Sequence, residues 1–150
     1  MEGSIRRFKY NRDLESVLAI FDANVPRYFS PLERAWYADY LKNEVEDYFV
    51  LDHNDQIIGA GGLNYEKHWA VLSWGLIAPA YHGRGLGTQI TQYRINFVRA
   101  NTNLPSIIVR TSQHTDGFYT KMGFKVTERK KDFWGKGMDL AFMEMQLERE

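Results

Sequence analysis

From Asp47 to Ile77 three strand-like runs follow one another with no helix between them, and this limits the fold more than any other feature of the chain. Tyr48-Phe49-Val50-Leu51, the turn His53-Asn54-Asp55 and the run Gln56 to Leu63 read as a β-hairpin, and Ala70 to Ile77 as the next strand, stopped by Pro79. Upstream, Ser4 to Lys9 alternates as a strand does. Asn11 or Asp13 can cap a helix carrying Leu14, Val17, Leu18 and Phe21 at helical spacing. Pro26 ends that pattern, and Ser30-Pro31-Leu32-Glu33 has the residues of a capping box, opening a second helix with Leu32, Trp36 and Tyr40. Downstream, His82 to Gly87 is a glycine-rich loop before a long helix marked by Leu86, Ile90, Tyr93 and Phe97. Ile107-Ile108-Val109 is a short buried strand, Thr115 to Met122 a short helix stopped by Gly123, and two strands close the order. The last, Ala141 to Leu147, places Ala141, Met143, Met145 and Leu147 on one face. The order β-α-α-β-β-β-α-β-α-β-β has too many adjacent strands for a doubly wound sheet and too many helices for a barrel. It predicts a mixed α/β (α+β) sheet flanked by helices. With no repeat, linker or low-complexity tract, residues 1–150 read as a single domain.

Composition narrows the function classes. Lys plus Arg equal Asp plus Glu at 19 each, so no global field draws the chain to nucleic acid or anionic lipid. There is no cysteine, which removes disulfides, thiolate metal ligands and a cysteine nucleophile. His53, His68, His82 and His114 are scattered without paired-ligand spacing, so no metal is expected. No run approaches the roughly 18 apolar residues of a membrane helix, and the opening segment lacks the apolar middle of a signal peptide. The expectation is a cytoplasmic protein with no membrane partner.

His82-Gly83-Arg84-Gly85-Leu86-Gly87-Thr88 is the most informative stretch. Its glycines let backbone N–H groups approach an anion at a helix start, where the helix dipole also favours negative charge, and Arg84 adds a cation. A phosphate or pyrophosphate is the natural guest; the plain alternative is a tight strand-to-helix turn. The nucleoside-triphosphate loop requires a lysine after its last glycine, and here Thr88 follows Gly87 directly. The dinucleotide fingerprint requires Gly-x-Gly-x-x-Gly, and the spacing here is Gly-x-Gly-x-Gly.

The segment resembles the acetyl-CoA motif [Gln/Arg]-x-x-Gly-x-[Gly/Ala] of the GNAT superfamily of N-acetyltransferases, with Gly85 and Gly87 in the two small positions and His82 in place of glutamine or arginine. Downstream, Ser112 to Phe124 resembles that family's Asn-x-x-Ala-x-x-[Leu/Phe]-Tyr-x-Lys-x-Gly-Phe, with Tyr119, Lys121, Gly123 and Phe124 in register and Ser112 and Thr115 where asparagine and alanine are commoner. The resemblance implies an acyl-CoA N-acyltransferase fold: a mostly antiparallel sheet of about seven strands, splayed between the fourth and fifth, flanked by four helices. It implies acetyl-CoA as co-substrate, with backbone groups of Leu76 and Ile77 on the pantetheine arm, the N–H groups of His82, Gly83, Arg84, Gly85, Leu86, Gly87 and Thr88 on the pyrophosphate, and Ser112 beside the arm. Homodimers are common among such domains.

Acetyl transfer needs a neutral amine, an oxyanion donor and a proton for the departing thiolate. By resemblance Tyr119 is the proton donor and a backbone N–H near Leu76 the oxyanion donor. The alternative for Tyr119 is a packing aromatic. Ala70 to Gly75 offers no carboxylate for a general base, and Glu66, His68 and His114 are only the nearest candidates by sequence. Tyr28, Phe29, Trp36, Tyr37 and Tyr40 crowd the first two helices and either line an acceptor pocket or fill the core, and Lys130 to Gly137 joins the last two strands beside the same region. The acceptor reads as a small-molecule or protein amine. A non-catalytic acyl-CoA sensor or partner module on the same fold is the competing reading.

Overall fold

Alternation along one strand sends Tyr48 and Val50 to one face and Phe49 and Leu51 to the other, and all four are buried, so both faces of the sheet must be covered. The computed structural model, which describes residues 3–148, shows how. Its elements are β1 (Ser4–Arg7), α1 (Tyr10–Ala23), α2 (Glu33–Asn43), β2 (Asp47–His53), β3 (Gln56–Tyr65), β4 (Ala70–Ile77), α3 (Leu86–Asn101), β5 (Ser106–Thr111), α4 (Asp116–Met122), β6 (Lys125–Gly135) and β7 (Met138–Gln146). The strands form one seven-stranded sheet in the order β1-β2-β3-β4-β5-β7-β6, antiparallel except for β4 with β5. On one face Val17 and Phe21 of α1 and Tyr37 and Leu41 of α2 pack on Tyr48 and Val50. On the other, Ile95 and Val98 of α3 and Tyr119 of α4 share a cluster with Phe49, Leu63 and Val109, while Leu86 and Ile90 meet Leu51 and Ile58. The mixed α/β architecture expected from the element order is the one observed. No helix among the described residues is long and apolar enough to cross a membrane.

Local chemistry explains most boundaries. Asn54 and Asp55 both take positive φ, 51° and 63°, as a two-residue hairpin turn requires. The Glu33 carboxylate accepts the Ser30 N–H at 2.8 Å, the reciprocal arm of the capping box. Gly123 stops α4 at φ 109°. Edge strand β6 is exposed along Lys125 to Phe133 and carries Lys125, Lys130 and Lys131, which discourages further pairing.

Four local expectations are corrected. Helix α1 begins at Tyr10, so neither Asn11 nor Asp13 is its cap; Asp13, 1% exposed, reaches back to the Lys9 N–H at 2.8 Å and pairs with Arg6. Helix α2 begins at Glu33, so Leu32 lies just before it and, like Trp36, faces solvent; the buried face runs through Glu33, Tyr37, Tyr40 and Leu41, because the helix opens on a polar residue that packs inward. On α3, Tyr93 is exposed, and the buried stripe is Leu86, Ile90, Arg94, Ile95 and Val98, with an arginine in the core. Lys130 to Gly137 is not a loop: β6 runs to Gly135, and the turn to β7 is Lys136-Gly137 alone.

Two irregularities at the sheet's centre make room for a site. Ala60 pairs with Leu76 and Gly62 with Ser73, so Trp74 and Gly75 together oppose Gly61, a bulge in which Trp74 takes φ 44°. Strands β4 and β5 pair only at Ala70/Ile107, Val71/Ile108 and Leu72/Val109; beyond these residues they part.

Candidate active site

The gap opened by the parting strands is one continuous cavity of about 830 Å³, within the size range of small-molecule sites. It reaches from the glycine loop, along Leu72 to Ile77 and Val109 to Ser112, to Tyr28, Phe29 and Glu33 at the start of α2.

The loop end is built from backbone. After a single 3₁₀ turn, Pro79–Tyr81, Gly83 and Gly85 take φ 76° and 80°, the left-handed region closed to most side chains. Nothing lies within 4 Å of where a Cβ would stand at either, so packing does not demand glycine there; the backbone turn does. Gln89 N–H starts the helical ladder on the Gly85 carbonyl at 3.0 Å, and among the described residues the amides of 83–88 have no protein acceptor. The His82 amide, in contrast, is used on the Pro79 carbonyl at 3.1 Å. Free amides at the start of a helix as long as α3, with the dipole behind them, are the kind of group that can receive an anion.

Of the residues singled out from sequence, Leu76, Ile77, His82, Gly83, Gly85, Leu86, Gly87, Thr88, Ser112 and Tyr119 all line this cavity. Arg84 does not; its guanidinium stacks over the Tyr81 ring, 5.3 Å from the centroid. His82 reaches the Ile77 carbonyl with Nε2 at 2.7 Å, where Asn24 Nδ2 also donates at 3.1 Å, so that carbonyl is held by side chains. Ser112 is buried, its hydroxyl accepting the His114 N–H at 3.2 Å. The Thr111 and Thr115 hydroxyls touch one another just behind it. Phe118 lies 3.6 Å from where a Cβ of Gly87 would be, which seats α3 against α4.

Tyr119 is 9% exposed and wedged edge-on between Phe118 and Phe124. Its hydroxyl comes within 3.6 Å of the space beside Gly75, at the β4 bulge. The phenol therefore faces the bulge across the gap between the strands.

The far end is aromatic and acidic. Tyr28, Phe29, Tyr40, Trp74 and Trp134 contribute to its walls; Tyr37 lies under them, wholly buried and stacked on Trp74 at 4.9 Å, and exposed Trp36 takes no part. Trp134 reaches the site because its Nε1–H donates to the Thr111 carbonyl at 2.9 Å, folding the β6–β7 hairpin over β5.

Among the bases considered from sequence, Glu66 lines the cavity but is engaged with Trp69 Nε1 at 3.0 Å and Arg110 at 3.6 Å, and His68 and His114 lie outside the lining. The carboxylate that sequence reasoning missed is Glu33. It was legible only as a cap, and the cap geometry is what turns it inward. It is 4% exposed, and burial pushes its carboxyl up to about 7 although the Ser30 N–H opposes this. Its Oε1 takes no protein donor, and since no fully buried side-chain oxygen among the described residues lacks a partner, Oε1 is open to the cavity. The other missed residue is Arg94, whose guanidinium lines the floor beneath the bulge.

Residues 21–147 match the family model described as an acetyltransferase (GNAT) domain. A relative from Drosophila melanogaster, "Probable N-acetyltransferase san", is 24% identical over 90 residues, which are 55% of this chain and 48% of that protein, so the match spans about half of the relative's length. Among solved structures, the ribosomal-protein-S18-alanine N-acetyltransferase of Escherichia coli superposes with a TM-score of 0.82 at 15% identity, covering 99% of this chain and 96% of that one. An aminoglycoside 6′-N-acetyltransferase complexed with coenzyme A superposes with a TM-score of 0.78 at 14% identity, covering 98% and 99%. At these identities the likeness of the structures is one of fold.

Proposed function

Because the chain belongs to the GNAT acetyltransferase family, we propose that it transfers an acetyl group from acetyl-CoA to a primary amine by direct attack in a ternary complex. The observation that carries this reading is the convergence in one cavity of the free amides of Gly83 and of 85–88, the Tyr119 hydroxyl and the Glu33 carboxylate. Several unpaired amides at the start of a long helix, with its dipole behind them, favour a diphosphate as the guest. The gap between β4 and β5 fits the extended pantetheine arm, with Leu76 and Ser112 on its two sides. A solved structure of the same fold complexed with coenzyme A supports that choice of co-substrate.

At neutral pH the acceptor arrives as an ammonium. Glu33 Oε1 takes one of its protons, and a carboxyl that titrates near 7 is matched to that task. The neutral nitrogen then attacks the thioester carbonyl, whose oxygen gains negative charge and is met by a backbone N–H near Leu76. As the C–S bond breaks, the sulfur takes the Tyr119 proton; the new amide nitrogen sheds its extra proton and Glu33 the one it took, both to solvent, from which the phenol is restored. The aromatic walls and the carboxylates of Glu33 and Glu44 in the lining favour a cationic amine over an anionic one.

The test is thiol release from acetyl-CoA by the purified protein over a panel of amino acids, polyamines and peptide amines. Release that depends on an amine and falls about 10²-fold or more in Tyr119→Phe is expected. Coenzyme A that raises the melting temperature with no release under any amine would instead identify a non-catalytic acyl-CoA module.

A further inference from the structure

Arg94 stands where the packing of α3 calls for a leucine. It is 1% exposed, on the buried stripe with Leu86, Ile90 and Val98, and yet it is a full positive charge, since a guanidinium is not deprotonated in proteins. It donates to neutral groups: Nε to the Ile90 carbonyl at 3.3 Å, Nη1 to the Gly62 carbonyl at 3.1 Å and Nη2 to the Thr91 hydroxyl at 3.4 Å. Among the described residues no carboxylate pairs with it. Two glycines admit it to the cavity floor: a Cβ at Gly61 would stand 2.8 Å from its Cζ, and one at Gly75 3.1 Å from Nη2. That same Gly75 position is 3.6 Å from the Tyr119 hydroxyl, so cation and phenol share one space at the bulge. Burial opposes the charge, and the Tyr119 oxygen is foremost among the groups that favour it. An uncompensated buried charge is costly, and a fold that keeps one has a use for a nearby anion.

We infer that Arg94 is a positioning residue for Tyr119: the guanidinium donates to the phenol oxygen, turns its proton toward the cavity, and faces the phenolate left once that proton has gone to the departing thiolate. Valence dictates the direction. A guanidinium has donors and no acceptor, so the hydroxyl beside it can only receive from it and must direct its own hydrogen elsewhere. The transient negative charge then forms against a fixed cation in a site shielded from water, where such preorganised charge is most effective. This rests on the proposed role of Tyr119, and a plain staple between α3 and the Gly62 carbonyl is the competing account.

A double-mutant cycle on the full chain separates the two, using Arg94→Met, Tyr119→Phe and their combination, with kcat and the KM for acetyl-CoA measured in each. Arg94→Met is expected to lower kcat roughly 10- to 100-fold with KM within about twofold, and to leave the melting temperature unchanged or higher because a buried charge has gone. When Tyr119→Phe is already present, the same change is expected to cost less than about twofold, since a residue acting through the phenol has nothing left to act on. Arg94→Lys, which keeps the charge, is expected to recover most of kcat; Arg94→Gln, which keeps N–H donors but not the charge, is expected to lose it as Arg94→Met does and carries the same cycle should the methionine variant not fold. Losses that multiply in the double variant overturn the inference, as does an Arg94→Met enzyme with wild-type kcat. So does a loss confined to malonyl- and succinyl-CoA, which would make Arg94 a carboxylate receptor for the acyl chain. A Tyr119→Phe enzyme as fast as wild type overturns the Tyr119 role itself, a result distinct from these.

Discussion

The Tyr48 hydroxyl donates to the Trp74 carbonyl at 2.8 Å and so fastens the β4 bulge to β2. Its proton being spent, Tyr48 can only accept from Tyr37, whose hydroxyl lies 2.6 Å away; the two phenols form a directed relay ending on a residue held at φ 44°. Tyr48→Phe strands the buried Tyr37 hydroxyl and leaves the part-buried Trp74 carbonyl without its donor, and is expected to cost about 1–3 kcal/mol. Tyr37→Phe removes only the terminal donor and is expected to cost less, about 0.5–1.5 kcal/mol. Urea denaturation of the two variants checks the order, and the KM for acetyl-CoA is expected to rise only where the bulge is released, in Tyr48→Phe.

At Gly85 the backbone, not the surroundings, sets the requirement. A methyl group there meets nothing within 4 Å, so Gly85→Ala tests the φ of 80° alone. The strain is about 1–2 kcal/mol, relieved by moving the amides that open α3. The expected result is a KM for acetyl-CoA raised several-fold with a smaller change in kcat, measured by steady-state kinetics. A rise in acceptor KM with acetyl-CoA KM unchanged would show that the loop does not hold the co-substrate.

Asp13 ties the start of α1 to β1. Burial alone would raise its carboxyl, but hydrogen bonds from Arg6, at 2.8 and 3.0 Å, and from the Lys9 N–H outweigh this and hold it below the usual carboxylate range. With the folded pKa below the unfolded one, the stabilisation is present above about pH 4 and is lost as pH falls through the folded value. Asp13→Asn is therefore expected to cost about 1–2 kcal/mol at pH 7, and the gap between variant and wild type to narrow in acid. Thermal melts of both proteins from pH 7 to pH 3 measure it.

Strands and helices were legible in the sequence because alternation and turn residues are local signals, whereas the parting of the sheet was implied only by the resemblance of the two motifs around Gly85 and Tyr119. The glycine loop needed only its own φ values. What escaped was everything that depends on an unexpected polar residue turning inward. Asp13, Glu33 and Arg94 are charged types that usually stay in water; Asp13 is buried because Arg6 and the Lys9 N–H receive it, Arg94 because the Gly62 carbonyl does, and Glu33 because a cavity does. Periodicity counts apolar residues, so it placed Trp36 and Tyr93 on buried faces and left Glu33 and Arg94 outside them. The bulge at Trp74 was equally hidden, since its register is set by β3 and its positive φ by the Tyr48 hydrogen bond, neither of which is local.

Glu33 binds catalysis and stability to the same proton. Burial raises its carboxyl from 4.5 to about 7, so the folded protein holds that proton more tightly than the unfolded chain does. Stability attributable to Glu33 is thus greatest below the unfolded value and declines as pH rises from there through about 7. Activity should run the other way, because a general base works only when deprotonated: kcat/KM is expected to climb about tenfold per pH unit below 7 and to level above it. Glu33→Gln keeps a side chain that can still accept the Ser30 N–H while removing the ionisation. Allowing for water reaching the carboxylate from the cavity, it is expected to be about 1–2 kcal/mol more stable than wild type at pH 8 and to show no difference at pH 4. Its kcat/KM should be at least 10²-fold lower, without the limb near pH 7. A pH–rate profile and melts at the two pH values examine both halves together, and a Glu33→Gln enzyme that keeps the wild-type profile would assign the base elsewhere.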